Sequence, residues 1–351
     1  MIRAALAGLA LMLAPGSASA VATGGPAAQI LSFDALPGWA EEDHAAALAV
    51  FRSTCADMRG RDWQVLCAFA GTGPDPRAFF ERFFLPVFLA EEGTEAMFTG
   101  YYEPELRGDR WRSEYYHVPL YAPPPELPES GPWLTRREIE DSGVLEGRGL
   151  ELAWVADPVD AFFLQIQGSG RIRLPDGSLT RLGYAAANRQ DYTSLGQILV
   201  ARGLFEPHEV SFEAIRAWVR ANPEEGVELL RQSDSYVFFR RVDDVPPSAG
   251  PLGAMNRSVT AMRSLAVDPA FVPLGAPVWV ETTAARPHRR LMIAQDTGSA
   301  IKGPQRGDIF TGTGREAGRV AGNIRDGGRL VMLLPIQLAH ALVADPGAEI
   351  R

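Results

Sequence analysis

The chain has 351 residues, of which 46% are hydrophobic and 22% are charged, a composition typical of globular proteins. This excludes a disordered or fibrous protein. The length favours two domains, because single hydrophobic cores stop growing near about 250–300 residues. With 43 acidic against 34 basic residues and a formal charge of −9, the chain lacks the positive surface on which nucleic-acid binding depends, so we expect no nucleic-acid partner.

The first twenty residues have the pattern of a secretory signal peptide. Arg3 supplies the positive n-region, Ala4 to Pro15 form a short apolar stretch, and Ala18-Ser19-Ala20 is a small-residue cleavage site, so we expect cleavage before Val21. The apolar stretch is shorter than the roughly 20 residues that a membrane-spanning helix needs. No cysteine lies near the cleavage site to carry a lipid. We therefore predict an exported, periplasmic protein, with peripheral association at the outer membrane or cell wall left open.

Cys55 and Cys67 are the only cysteines of the chain. In an oxidising compartment they can form a local disulfide, but Cys55 can equally be a small buried hydrophobe on a helix face. Both interpretations stay open. The five histidines are scattered, and none stands at i, i+4 with another ligand type, so we expect no metal site.

The N-terminal third predicts helices followed by a strand. Residues 21–36 are small and Gly-rich and indicate a flexible lead-in. Apolar spacing predicts a helix over about Glu41 to Met58, and a second helix that begins at Asp75-Pro76 and carries a phenylalanine stripe to Phe84. The segment from Met97 to Pro104 is strand-like. The phenylalanine stripe is expected to form core rather than a ligand site.

A Pro- and Glu-rich connection, Pro123 to Pro132, is followed by a segment in which helices and a hairpin are predicted. Thr135 and Glu138 form a capping box for a short helix that Gly143 can end. The segments 162–172 and 178–184 flank the turn 175–177 and predict a hairpin. Helices are expected over residues 194–201, 211–220 and 224–232.

From Tyr236 the sequence is β-rich to its end. We predict strands over residues 236–240, 255–266, 277–282, 291–295, 308–311 and 329–334. Short strands joined by turns with Gly and Pro are typical of a small barrel.

The densest polar cluster in turn-rich sequence runs from Leu291 to Gly314 and contains Asp296, Asp308 and Lys302. Asp268 lies just upstream. If the barrel brings the three aspartates together, repulsion and burial raise the pKa of at least one of them, so that it stays protonated near neutrality. The alternative is that Asp268 and Asp296 cap turns and Lys302 pairs with one of them. Spacing alone leaves both open.

Several motifs together identify a family. The segments AVDPAFVPLG, AQDTGSAIKG and RGDIFTGTG resemble the three-aspartate signature of the MltA family of lytic transglycosylases and of related three-aspartate wall proteins. The segments FTGYYEPEL, FFLQIQGSGRI, LGYAAANR and SYVFFR resemble the MltA family specifically. The resemblance covers roughly residues 94–334, most of the chain, in the expected order.

The resemblance implies a mainly β fold with α-helices (α+β). A double-psi β-barrel of residues 21–104 and 241–345 would be interrupted by a mixed α/β insert of residues 105–240, with a substrate groove between them. Family members cleave the β-1,4 bond between N-acetylmuramic acid and N-acetylglucosamine in peptidoglycan and leave a 1,6-anhydromuramoyl end, without a metal or organic cofactor. The implied partners are glycan strands, with wall-synthesis or division complexes as further candidates. We expect a monomer.

By position in the motif, the catalytic aspartate falls on Asp308, which would act first as general acid and then as base. We expect Asp296 to hold Asp308 protonated, Asp268 to be structural, and Lys302 to contact substrate. The remaining candidates for substrate binding are Tyr101, Tyr102, Glu103, Gln165, Gln167, Ser169, Asn188 and Gly298. For Tyr101, packing inside the strand layer is an equal alternative to stacking on a sugar.

Three other functions compete with this assignment. A hydrolase using Asp308 and Asp296 as acid and base would yield reducing ends. A non-catalytic wall-binding module would keep the groove and tolerate loss of Asp308. A serine hydrolase built on Ser169 is the weakest, because the G-x-S-x-G spacing and a histidine partner are missing.

Overall fold

The computed structural model describes residues 26–90, 93 and 95–345. It is a mixed α+β fold with two β-sheets. The predicted signal peptide, residues 1–20, lies outside the described residues. Over the part of the chain that is described, no helix combines the length and apolar character needed to cross a membrane.

The helices and strands alternate along the chain. The helices are α1 His44–Thr54, α2 Arg61–Gly71, α3 Pro76–Phe83, α4 Arg136–Ser142, α5 Pro158–Gln167, α6 Leu195–Ala201, α7 Phe212–Ala221, α8 Pro223–Leu230, α9 Gly314–Gly322 and α10 Ile336–Ala344. The strands are β1 Ala27–Ile30, β2 Phe84–Ala90, β3 Met97–Glu103, β4 Glu105–Asp109, β5 Val118–Tyr121, β6 Glu151–Val155, β7 Gly170–Arg173, β8 Leu179–Ala187, β9 Val237–Arg241, β10 Ser264–Val267, β11 Pro277–Thr282, β12 Arg289–Asp296, β13 Arg306–Thr313, β14 Arg325–Asp326 and β15 Gly328–Pro335.

The larger sheet has nine strands in the order β1-β2-β15-β11-β12-β10-β13-β3-β14. Its central strands are mostly buried, because helices α1, α2, α3 and α10 contribute to the main hydrophobic core that covers them, which includes Phe51, Trp63, Phe80 and Trp279. Among the described residues, the pairing has two ends, at β1 and β14, and does not close into a ring.

The second sheet has six strands in the order β5-β6-β4-β7-β8-β9. Helices α5, α6, α7 and α8 pack together beside it around a separate apolar cluster that includes Phe162, Leu199 and Ile215. The two sheets are joined by the chain itself, because β3 of the larger sheet is followed after Pro104 by β4 of the smaller one, and β9 leads back.

Buried ion pairs also hold the two sheets together. Glu103, at the end of β3, is fully buried and pairs with Arg171 of β7 at 2.8 Å and Arg181 of β8 at 2.9 Å. Thr313 of β13 donates its hydroxyl to the same carboxylate at 2.8 Å. One carboxylate thus binds strands from both sheets.

Several local predictions are confirmed. Cys55 and Cys67 form a disulfide, which resolves the alternative left open above. The capping box of Thr135 and Glu138 begins α4, and Gly143 ends it in the left-handed region at φ 62°. The hairpin around residues 175–177 is the β7–β8 pair, and the helices α6, α7 and α8 and the strands β3, β9, β11, β12, β13 and β15 lie within a few residues of their predicted bounds.

The prediction of a strand from residue 162 is wrong up to residue 167, where α5 lies instead. Asp157 caps this helix by accepting from the Val159 N–H at 2.9 Å, Pro158 occupies its first position, and Gly168 ends it at φ 73°. The apolar run is continuous because most of this helix is buried. A short apolar run does not by itself distinguish a buried helix from a buried strand.

Other differences concern the region before β3 and the region after β9. The predicted lead-in contains β1, which pairs with β2, and the helix predicted over 41–58 is restricted to α1. Helix α2 and strand β2 were not predicted. Residues 255–263 form turns rather than a strand, so only β10 remains of that prediction. The C-terminal region also contains α9 and α10, so it is not β-structure throughout.

Candidate functional site

The larger sheet brings Asp296 and Asp308 to the same level. Ala266 on β10 pairs with Asp296 of β12 on one side and with Asp308 of β13 on the other. Residues opposite one another on neighbouring strands project to the same face of a sheet, and strands lie about 4.8 Å apart. The two aspartates therefore lie roughly 10 Å apart at their Cα atoms.

Asp308 is half-buried and lies opposite Thr99 of β3. The Thr99 hydroxyl donates to Asp308 Oδ1 at 2.6 Å. Burial raises the pKa of Asp308, while the Thr99 hydrogen bond and the charge of Arg306 act in the opposite direction. The prediction that a carboxyl here resists ionisation fits this environment, but its main cause is burial rather than the charge of Asp296.

Asp296 ends β12 in a different environment. Its Oδ1 accepts the backbone N–H groups of Ala254 and Thr297, each at 2.9 Å, and its Oδ2 accepts the Tyr101 hydroxyl at 2.9 Å. Burial raises the pKa of Asp296 to about 6, against the effect of these three donors, and Asp308 adds to the increase. Both carboxylate oxygens of Asp296 are thus committed to protein donors.

Tyr101 spans the surface between the strands. It lies on β3, its ring contacts Phe310 of β13 with centroids 5.2 Å apart, and its hydroxyl reaches Asp296 on β12. Burial and then the Asp296 carboxylate raise the pKa of its phenol. Tyr101 therefore forms part of the aspartate site as a hydrogen-bond donor and is partly exposed there.

The third aspartate orders the loop beyond β12. Asp268 is buried, and its carboxylate accepts the Ala270 N–H at 3.1 Å and the Gly303 N–H at 2.9 Å. The loop that Asp268 holds contains Gly298, whose carbonyl accepts the Ile301 N–H in a turn. Lys302 lies on the same loop, is exposed, and makes no ion pair within the described residues. These contacts fix the loop in place, and the role of Asp268 stays a prediction.

The predicted substrate-binding residues of the smaller sheet and its helices are buried or bonded to other groups of the protein. Gln165 Oε1 accepts from Arg136 at 2.5 Å, and Gln167 Oε1 accepts the Tyr102 N–H at 2.9 Å. Asn188 is fully buried; its amide donates to two backbone carbonyls and accepts the Tyr236 N–H at 2.7 Å. Ser169 is buried just before β7. These contacts position the backbone and leave Asn188 without exposed surface for a ligand.

Tyr102 and Glu103 do not join the aspartates. Tyr102 projects from the opposite face of β3, packs on Gly318 of α9 and lines a cavity of about 930 Å³ that also contains Tyr115, Arg107 and Arg315. Glu103 is buried in the ion pairs between the sheets. A second cavity of about 260 Å³, beside α4, contains Gln165. Neither of these two cavities is lined by Asp296 or Asp308.

Two functional candidates were missed by the sequence analysis. Thr99 contacts Asp308 directly, and Arg306 donates from Nη2 to the Thr99 hydroxyl at 2.8 Å. Arg306 precedes Asp308 by two positions on a strand, and this spacing places both side chains on one face, so the signal was present in the motif RGDIF. Across the described ranges, no group of three or more His, Cys, Asp or Glu side chains is placed to hold a metal ion.

Comparisons with known proteins place the chain in a family. Residues 97–240 match the family described as MltA specific insert domain, and residues 263–334 match the 3D domain. The membrane-bound lytic murein transglycosylase A of Vibrio cholerae is 35% identical over 268 residues, which cover 70% of this chain and 70% of the relative. The Escherichia coli protein of that name is 35% identical over 255 residues, covering 70% and 67%.

Solved structures are similar over most of the described fold. The membrane-bound lytic murein transglycosylase from Agrobacterium tumefaciens superposes with a TM-score of 0.80 at 32% identity, covering 90% of this chain and 99% of that chain. Escherichia coli MltA with bound chitohexaose gives a TM-score of 0.71 at 28% identity, covering 88% and 94%. The domain matches and these identities show that the chain belongs to the MltA family.

Proposed function

We propose that the protein is a peptidoglycan lytic transglycosylase, a lyase that cleaves the β-1,4 bond between N-acetylmuramic acid and N-acetylglucosamine and leaves 1,6-anhydromuramoyl ends. The names of its relatives support murein as the substrate, and the relative solved with chitohexaose supports a glycan chain as ligand. The observation that carries the proposal is that the two aspartates lie in unequal environments. Asp296 accepts protein donors through both oxygens, whereas Asp308 accepts through Oδ1 and its Oδ2 has no hydrogen-bond partner among the described residues.

The reaction needs a single acting carboxyl. Burial favours the protonated form of Asp308, which gives its proton to the glycosidic oxygen as the bond from that oxygen to C1 breaks. The resulting carboxylate then takes the proton from the C6 hydroxyl of the same sugar as the C6 oxygen bonds to C1. Asp308 ends protonated, and no water is consumed. Because the nucleophile is tethered, its effective concentration is high and a second activating carboxylate is unnecessary.

Asp296 is suited to electrostatic support. Three donors favour its ionised form, and its Cα lies roughly 10 Å from that of Asp308 across β10, so its negative charge is close enough to act on positive charge that develops at C1. In this role it stabilises the oxocarbenium-like transition state without forming a bond. Asp268 acts through the loop that it holds, and Lys302 on that loop contacts the substrate.

The two-carboxylate hydrolase is the alternative that the geometry tests most directly. It requires a base that is free to activate a water between carboxyls about 6.5–9.5 Å apart. Asp296 already accepts three hydrogen bonds, and the Tyr101 hydroxyl occupies the side of its Oδ2. Three of the roughly four acceptor sites of this carboxylate are thus occupied, which leaves Asp296 little capacity to orient and activate a water, so the single-carboxylate reaction is favoured.

The finer architecture and location belong to the same proposal. We infer that the nine-stranded sheet, although β1 and β14 do not pair with each other among the described residues, curves into the double-psi β-barrel. We infer residues 105–240 as the insert, because the two domain matches divide the chain at nearly these positions. The Tyr101 hydroxyl of β3 reaches β12 three strands away, which requires strong curvature of the sheet. The protein is proposed to act as an exported periplasmic monomer at the cell wall.

The deciding experiment is mass spectrometry of the muropeptides that residues 21–351 release from isolated sacculi. Anhydromuramoyl ends, lighter by one water and resistant to borohydride reduction, are expected. Asp308→Asn should abolish release while retaining binding to sacculi, whereas Asp244→Asn, at an exposed position, serves as the matched control. Reducing ends would establish the hydrolase, and binding without release by the unaltered protein would establish a wall-binding module.

A further inference from the structure

Three side chains form a chain of hydrogen bonds that ends on the catalytic candidate. Arg306 Nη2 lies 2.8 Å from Thr99 Oγ1, and Thr99 Oγ1 lies 2.6 Å from Asp308 Oδ1. The guanidinium is fixed in place, because its Nη1 donates to the carbonyl of Met97 at 3.2 Å and to that of Gly307 at 2.7 Å. The chain thus starts from a group held by both β3 and β13.

The direction of these bonds follows from the donors available. Arginine can only donate, so Thr99 Oγ1 must accept from Arg306. A hydroxyl carries one proton, and among the described residues Asp308 Oδ1 is the acceptor to which that proton is directed. If Asp308 instead donated from Oδ1 to Thr99, the hydroxyl would face two donors and its own proton would lose its partner.

We propose that Arg306 and Thr99 are positioning residues that commit Asp308 Oδ1 to the acceptor role, so that Oδ2 carries the catalytic proton. This rests on the proposed function and deepens it. Oδ2 then gives its proton to the glycosidic oxygen and takes one from the C6 hydroxyl. Oδ1 stays bonded to Thr99 throughout, so the carboxyl does not rotate between the two steps.

The same bonds stabilise the ionised form of Asp308 after the first step. A hydrogen bond donated to a carboxylate favours its ionised form, and burial opposes this effect. The other titratable groups that act on Asp308 are Arg306 on its own strand, Asp296 on β12 and Tyr101 on β3. A change at Thr99 leaves these three groups in place, so its effect on the titration can be assigned.

The test is a carbon-13 NMR titration of aspartate carboxyls, with the Asp308 resonance assigned from its absence in Asp308→Asn. Because the resting protein is titrated, the measurement is independent of whether transglycosylation occurs. Thr99→Val should move the Asp308 midpoint to higher pH by about one unit, since one hydrogen bond to a charged group is removed. Thr99→Ser should restore the original midpoint, and Arg306→Gln should also raise it.

Thr311→Val is the matched control, because the one proton of this hydroxyl on β13 is shared between the backbone carbonyls of Tyr101 and Ala317 and is not directed to Asp308. It should leave the Asp308 midpoint unchanged. A midpoint that falls in Thr99→Val would show that Asp308 donates to Thr99, and an unchanged midpoint would show that the bond has no effect; either result overturns the proposal. In the sacculus assay, the pH above which activity falls should be higher in Thr99→Val than in the unaltered protein, and Thr99→Ser should have the same value as the unaltered protein. If the unaltered protein yields no anhydro ends, the proposed function fails while the NMR result still decides the role of Thr99.

Discussion

Replacing Glu103 by Gln tests whether this residue joins the two sheets or lines the site. Glu103 is fully buried, and its neutralisation leaves Arg171 and Arg181 without their shared counter-charge. Removing one partner of a buried ion pair costs about 3–5 kcal/mol. Both arginines would keep hydrogen bonds to the Ala249 carbonyl, at 3.0 Å and 2.7 Å, which favours the lower end of that range.

We therefore expect Glu103→Gln to lower the free energy of unfolding by about 3 kcal/mol. The assay is urea unfolding at pH 7 followed by tryptophan fluorescence, with the midpoint and slope compared. Glu316→Gln removes an exposed pair with Arg319, in which the carboxylate side chain is 75% accessible, and should produce no measurable change. Below its midpoint, the Glu103 variant should still release muropeptides, because the residue is not exposed to substrate.

A loss of less than about 1 kcal/mol would refute the reasoning, because the arginines would then have an alternative partner such as water. A variant that is as stable as the unaltered protein but inactive would place Glu103 in substrate binding. The first outcome concerns the stability that the buried ion pairs contribute, and the second concerns whether Glu103 contacts the substrate, so the two outcomes are distinguishable.

Three further predictions concern the pH dependence of stability, the disulfide, and the packing of β3 against α9. Asp296→Asn should raise the free energy of unfolding by up to about 3 kcal/mol at pH 8 and not at pH 3. Burial raises the pKa of Asp296 to about 6 in the folded protein, whereas the unfolded chain releases this proton near pH 4, so the unaltered protein loses stability as the pH rises between these values. An equal gain at both pH values in urea unfolding would contradict this. Cys55→Ala with Cys67→Ala should cost about 3 kcal/mol by the chain-entropy estimate for a separation of 12 residues, and an unchanged urea midpoint would show that the disulfide adds nothing. Gly100→Ala should lower the melting temperature, because its Cβ would lie 2.7 Å from the backbone of α9, whereas Gly71→Ala meets open space and should not; equal melting temperatures would contradict the close approach.

The sequence predicted the elements whose signals are local. The capping box of α4 and the turn after β7 depend on residues within a few positions of each other, and both were placed correctly. The strands around the aspartates were recognisable because β11, β12 and β15 are short apolar runs between turn residues. The aspartates of the site followed from the family motifs, and the structure adds their pairing across Ala266.

The remainder depends on partners that are distant in sequence. Nothing near Glu103 indicates that it meets Arg171 and Arg181, which lie 68 and 78 residues further along the chain, so an acidic residue in a strand motif was interpreted as a groove residue. Asn188 was misjudged for the same reason, since its partners include a carbonyl 54 residues away. Thr99 acquires its role only when β3 pairs with β13, 209 residues later.

The connection between β3 and β4 is short and rigid, and it links the two sheets directly. Pro104 is the single residue between these strands, its ring restricts the backbone, and its carbonyl accepts the Arg171 N–H at 2.8 Å. The same strand carries Thr99 and Tyr101 five and three positions earlier. A rotation of the smaller sheet relative to the larger one would therefore be transmitted along β3 as a shift of the side chains that hold both aspartates, so the geometry of the aspartate site depends on the relative orientation of the two sheets.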